Sequence, residues 1–223
     1  MKPYERLAEA AAPDGTVLTL YRHDGAYLLR INGIELMSTR RSQSEVQLAE
    51  LACRGLAEQP GVRVLVGGLG FGFTMRAALE RLAPDAQVIV VEIVPEVIAW
   101  NRNPEYALAG AAMDDPRVDM RHGDVLALLR AHPGVFDAIM LDVDNGAESL
   151  TTTGNAGLYI DSGIQSAIDA LRPGGRVLYW SADADPAFAK ALRRHGLTVT
   201  AEKSRAHGTR GAAHELIVGE KRR

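Results

Sequence analysis

Val64 to Phe73, VLVGGLGFGF, reads as a strand running into a glycine turn, and its reading decides how the rest of the chain is understood. Gly68, Gly70 and Gly72 alternate, which lets the backbone pass close to a ligand, and the bulky Phe71 stands between the last two. Outward from this turn, short apolar runs alternate with helical stretches. RVLVGG leads to FTMRAALERL, QVIVVEI to PEVIAWN, RVDMRHGD to VLALLRA, FDAIMLD to SGIQSAIDAL, and GRVLYWSA to AFAKALRRHG. Such a βα alternation predicts an α/β fold whose parallel sheet is covered by helices on both faces. LTVTAEK and HELIVGEK then predict an antiparallel hairpin at one edge of that sheet.

Upstream of the turn the pattern is different. TVLTLYR, AYLLRI and GIELMS alternate as antiparallel strands, separated by His23-Asp24-Gly25 and Asn32-Gly33, both hairpin signals. SQSEVQLAELACRGLAEQPG reads as a helix, with Ser42 and Glu45 spaced as a capping box and Pro60-Gly61 as its stop. The expected organisation is a small β-hairpin extension over 1–41, a linking helix over 42–61 and a ligand-binding domain over 62–223.

Composition narrows the function classes. The 223 residues are 47% hydrophobic and 24% charged, an ordinary balance for one water-soluble core. A net charge of −3 gives no basic footprint, so nucleic acid is not an expected partner. The single cysteine, Cys53, rules out an internal disulfide or a cysteine zinc cluster and reads as a small buried apolar side chain. No metal is expected, because the histidines lack ligand spacing; His195 before Gly196 fits a helix C-terminus instead. No segment approaches a membrane span, and MKPYERLAEAAAPDG has no apolar signal core, so a cytoplasmic location is the expectation.

Ligands of open α/β sheets bind outside the carboxyl ends of the strands. The second strand ends at Glu92, about 20 residues beyond the glycines, where a carboxylate can accept both hydroxyls of a ribose. The third ends at Gly123-Asp124, where an aspartate can accept from an adenine amino group, and the fourth at Asp142. Each acid alone reads as a cap or turn residue, but in series they describe a nucleoside pocket. A nicotinamide dinucleotide wants G-x-G-x-x-G, and here the third glycine is one place early. An S-adenosyl sulfonium compound is therefore favoured.

In these segments the chain resembles the class I S-adenosylmethionine-dependent transferases, and more narrowly their spermidine synthase-like branch. VLVGGLGFGF, VIVVEIVPEVI, DPRVDMRHGDVLALL, FDAIMLDVDNGAE and LRPGGRVLYWSA carry the likeness, which spans roughly 15–220 and includes the N-terminal hairpins. The resemblance implies a Rossmann-like class I methyltransferase sheet. It also implies that Glu92 holds the ribose, Ile93 walls the adenine, Asp124 with Val125 beside it holds the adenine edge, and Asp142 takes a proton from an attacking amine. True polyamine synthases carry GGGDGG where this chain has GGLGFG, so Phe71 replaces an aspartate that neutralises the donor's amine. Asn145 and Gly146 replace a second aspartate and a proline, and INGIELMS holds no counterpart of the family's amine-binding glutamine.

From these departures the expected activity is methyl transfer from S-adenosylmethionine to a small-molecule acceptor. The alternatives are aminopropyl transfer from decarboxylated S-adenosylmethionine to a polyamine, and a nucleoside-binding protein without catalysis. Asp144, Asn145 and Tyr159, with Asn155 and Leu158 near the last, are the expected acceptor contacts. SRAHGTRGAA is expected as a cationic loop whose Arg205 and Arg210 suit an acceptor bearing a carboxylate or phosphate. The alternating apolar faces of the hairpins admit a homodimer.

Overall fold

A computed structural model describes residues 3–106, 108–142, 155–207 and 210–223. The chain opens with a four-stranded antiparallel meander of β1 (Glu5–Ala11), β2 (Val17–His23), β3 (Ala26–Ile31) and β4 (Ile34–Ser38). The last three were legible from their alternation. ERLAEAA was not, because alanine and glutamate favour helix, yet it forms β1 by pairing Glu5 to Ala11 along β2. Asp24 and Asn32 adopt left-handed backbone at the two hairpin turns, a conformation these side chains tolerate.

Helix α1 (Gln43–Cys53) follows, and two expectations about it fail. It stops at Cys53 rather than at Pro60-Gly61, since Arg54 is extended and Gly55 is left-handed at φ +76°. Ser42 is the N-cap residue but makes no side-chain capping bond. Glu45 faces inward instead, buried, with Ser44 Oγ donating to its Oε2 at 2.6 Å. Cys53 packs as expected: it is buried, and desolvation pushes its thiol up to about 12.

The main sheet is built from β5 (Arg63–Gly67), β6 (Gln87–Glu92), β7 (Val118–His122), β8 (Phe136–Leu141), β9 (Leu171–Ser181), β10 (Thr198–His207) and β11 (Arg210–Glu220), in the order β10-β11-β9-β8-β5-β6-β7. β5 to β9 pair in parallel, while β11 runs antiparallel to both β9 and β10. This is the expected sheet with its C-terminal hairpin. That hairpin is longer than expected: its register continues to His207 opposite Arg210, so much of SRAHGTRGAA is strand rather than loop.

The helices are α2 (Phe73–Leu79), α3 (Pro95–Arg102), α4 (Val125–Ala131), α5 (Asp161–Ala170) and α6 (Pro186–Arg194). Val64, Val66, Val88 and Val90 point to the face covered by α1, α2 and α3, and that core runs on without a break into Leu18, Leu20, Leu29 and Ile31 of the meander. Leu65, Ile89, Ile139 and Tyr179 point to the other face, under α4, α5 and α6. Because β5 is followed on one side by β6 and bordered on the other by β8, a crevice opens at the carboxyl ends of those strands.

Candidate active site

The crevice is partly open to solvent. Gly68, Gly70, Glu92, Ile93, Asp124, Val125 and Asp142 all line it, so most of the expected cofactor contacts converge there with the expected base. Glu92 is buried at the end of β6, and each carboxylate oxygen accepts one backbone N–H at 2.9 Å, Leu69 on Oε2 and Val94 on Oε1. Burial nevertheless pushes the Glu92 carboxyl above the usual glutamate range. A carboxylate has two acceptor sites per oxygen, so each Glu92 oxygen keeps capacity for one hydroxyl of a vicinal diol. Asp124 caps α4 by accepting from Leu126 N at 2.8 Å, and Ile93, Val94 and Val97 supply an apolar wall between the two acids. The acceptor pair and the apolar wall fit an S-adenosyl nucleoside.

Phe71 and Gly72, expected among the ligand contacts, do not line the crevice. Gly70 and Gly72, left-handed at φ +49° and +73°, turn the chain so that the Phe71 ring enters the core and meets Phe73 edge-on at 6.2 Å. The turn is held by Asn101, a buried side chain that sequence reading passed over. Its Nδ2 donates to the Gly70 and Val97 carbonyls at 2.8 and 2.9 Å, and its Oδ1 accepts from Ala109 N at 3.1 Å.

Asp142 lies just past β8, half-buried on the crevice floor, and its backbone N–H donates to the Gly67 carbonyl at 3.0 Å. Thr74 Oγ1 donates to Asp142 Oδ2 at 3.0 Å. Burial first, and then the negative charge of Glu45, push the Asp142 carboxyl up to about 7. Glu45 is itself raised by burial, against the Ser44 hydrogen bond. A signal for Glu45 was present in the sequence. It lies on the same helical stripe as Leu48, Ala49 and Ala52, and a carboxylate on an apolar stripe is a poor cap and a good site residue.

The meander supplies the other wall through Ala12, Leu18, Leu29, Leu36 and Met37. Met37 sits so close that a Cβ on Gly70 would fall 2.7 Å from its Cε. Tyr159 is not in the crevice; its ring packs against Phe188 at 5.1 Å and Tyr179 at 5.6 Å. Asp144 and Asn145 lie outside the described residues, as do the side chains of Asn155, Arg205 and Arg210. Among the described residues no cluster of histidine, cysteine or carboxylate groups has a metal-binding arrangement, and no helix is long and apolar enough to cross a membrane.

No family model matches the chain. The polyamine aminopropyltransferase of Corynebacterium efficiens is 30% identical over 159 residues, which is 70% of this chain and 29% of that protein. Polyamine aminopropyltransferase 2 of Pseudomonas aeruginosa is 28% identical over 124 residues, 54% of this chain and 33% of that protein. The matches thus span about a third of the length of these curated relatives. A crystal structure of spermidine synthase in complex with the transition-state analogue AdoDATO matches with a TM-score of 0.79 at 19% identity, covering 97% of this chain and 74% of that one. The fold is spermidine synthase-like. Both the class I S-adenosylmethionine-dependent sheet and the N-terminal meander of this spermidine synthase-like fold were expected from the sequence, and both are present. Within it the meander is a wall of the crevice, a role its alternating pattern did not reveal.

Proposed function

We propose that the protein transfers an aminopropyl group from decarboxylated S-adenosylmethionine to a primary amine of the polyamine class. The observation that carries this reading is Asp142, a carboxyl pushed up to about 7 at the crevice floor beside the buried Glu45. A group titrating near neutrality is matched to taking the proton from an acceptor nitrogen, which attacks as the free amine. The similarity to two polyamine aminopropyltransferases supports aminopropyl transfer over the methyl transfer expected from the glycine turn.

The chemistry asks little of the protein, because a sulfonium is already an activated leaving group. The acceptor nitrogen attacks the propyl carbon bonded to sulfur. A C–N bond forms, the C–S bond breaks with its electron pair going to sulfur, and the nitrogen's surplus proton passes to Asp142. Glu92 and Asp124 hold the nucleoside so that the attack is in line, and alignment of this kind is a large share of the rate. Thr74 fixes the Asp142 carboxylate by its 3.0 Å bond.

One observation favours methyl transfer as a second reading. The turn presents no carboxylate at position 71, and the ring there is 1% exposed, so nothing at that position repels the carboxylate of intact S-adenosylmethionine. Paired calorimetric titrations with the two donors, followed by mass spectrometry of the nucleoside product, separate the readings. Tighter binding of the decarboxylated donor with release of methylthioadenosine is the expected result. Preference for the intact donor with release of S-adenosylhomocysteine would establish methyl transfer instead, and binding without turnover would leave a nucleoside-binding protein.

A further inference from the structure

Strand order sets out the crevice from end to end. Asp142, the glycine turn, Glu92 and Asp124 stand at the carboxyl ends of β8, β5, β6 and β7, which are neighbours in that order. With the adenine at Asp124 and the ribose at Glu92, the sulfonium comes one strand further, over Gly68 and Gly70, and its reacting carbon faces Asp142. Met37 covers that position. A Cβ on Gly70 would fall 2.7 Å from Met37 Cε and 2.9 Å from its Sδ, so the thioether lies on backbone that only glycine leaves bare. A bulge aims it there. Met37 pairs with Leu29 and Glu35 with Arg30, which leaves Leu36 as an extra residue in β4. Successive side chains of a regular strand alternate faces, yet Leu36 and Met37 both line the crevice.

We infer that Met37 is a donor-specificity residue: set on Gly70 by the β4 bulge, it gives the sulfonium's chain an apolar cover that excludes the carboxylate of intact S-adenosylmethionine and admits the decarboxylated donor. Phe71, turned into the core, leaves that choice to other side chains. A carboxylate under Met37 would lose its water and find little to replace it. The turn's amides are already engaged. Gly68 donates to the Val91 carbonyl at 2.9 Å, Gly72 to the Leu69 carbonyl at 2.7 Å and Leu69 to Glu92, and the Gly70 amide also favours the charged form of Glu92. Nor is a cation at hand. Glu92, Asp124 and Asp142 are the charged side chains lining the crevice among the described residues, and the stretch 143–154 contains no lysine, arginine or histidine. The ammonium of either donor finds acids in the crevice; the carboxylate finds no partner.

This inference rests on the aminopropyl reading, and the experiment separates the two. The full chain and its variants are titrated calorimetrically with decarboxylated S-adenosylmethionine, with the intact compound, and with methylthioadenosine, which lacks the chain. The parent is expected to bind the decarboxylated donor at least about tenfold more tightly than the intact one. Met37→Lys sets a cation over Gly70 and should lower that ratio at least about tenfold, with methylthioadenosine affinity unchanged. A lysine's long stem can keep its ammonium in water, so the half-buried site tolerates it. Met37→Gln, uncharged, should move the ratio the same way by a smaller factor should the first variant fold poorly. Met37→Leu, apolar again, should bring the ratio back towards that of the parent. An unchanged ratio in the first two variants overturns the inference and leaves the aminopropyl reading standing, and an equal loss for all three ligands, the mark of a packing role, does the same. A Met37-dependent preference for the decarboxylated donor without aminopropyl transfer would keep this inference and remove the proposed reaction. Preference of the parent for the intact donor would overturn both.

Discussion

The two halves of the crevice are built on opposite terms. On the β5–β7 side, Glu92 takes a backbone N–H on each oxygen and Asp124 takes one from α4, so the polar groups arrive already oriented by the main chain. On the side of β8 and α1, Asp142 is met by a side-chain hydroxyl, that of Thr74, and by the negative charge of Glu45. The first half is a rigid receptacle whose geometry follows from the sheet and its glycine turn. The second depends on which side chains project from the end of β8 and from α1 and α2. A nucleoside common to many reactions suits the first, and a variable acceptor suits the second.

The largest effect should come from the junction of the halves. Asp142→Asn is expected to lower kcat about 10²–10⁴-fold while donor binding, read by calorimetry, is retained. Unchanged turnover would remove Asp142 from the mechanism. The same variant has a stability signature. The folded-state carboxyl titrates at about 7, above an ordinary aspartate, so the folded protein holds a proton that the unfolded chain releases, and stability is lost as pH rises toward 7. Asparagine removes that loss, so the melting temperature of the variant should exceed that of the parent at pH 8 and match it near pH 4.

Next in size is a cut into the preorganised half. Glu92→Gln keeps one acceptor and loses the charge, and is expected to weaken the nucleoside about 10–100-fold, with about 1–3 kcal/mol lost from folding because Leu69 or Val94 N–H is left buried. Affinity unchanged in a titration would mean that the diol is held elsewhere. Glu45→Gln should act on the other half alone. Removing a negative neighbour lowers the Asp142 pKa, so the acid limb of the kcat/KM profile moves to lower pH with donor affinity unchanged. An unmoved limb would uncouple the two carboxyls.

The smallest effect separates the two sequence readings of α1. A working capping box would make Ser42→Ala cost about 1 kcal/mol. With no side-chain bond at Ser42, the change in a denaturant titration should stay within about 0.5 kcal/mol.

Legibility followed locality. The glycine turn, the strand-end acids and the βα order were readable because each depends on residues close in sequence, on backbone that only glycine adopts easily, or on an apolar period. Glu45 was misread because S-x-x-E is a local rule, and burial against Asp142 overrode it. ERLAEAA was missed because its pairing with β2 outweighed the helix preference of its residues. Phe71 was assigned to the ligand from its place in a motif, but the direction of a side chain in a turn depends on two flanking left-handed residues and on the core that receives the ring.

By itself, then, the amino-acid order determined the class of fold, the place of the crevice and the nucleoside side of the site, since periodicity and glycine stereochemistry act over a few residues. Tertiary structure alone decided that the meander walls the crevice, that Asp142 feels Glu45 nearly a hundred positions upstream, and that the Trp180 and His214 rings meet. Those facts depend on strand register and helix docking, where the free energy is set by contacts between residues that no local pattern links.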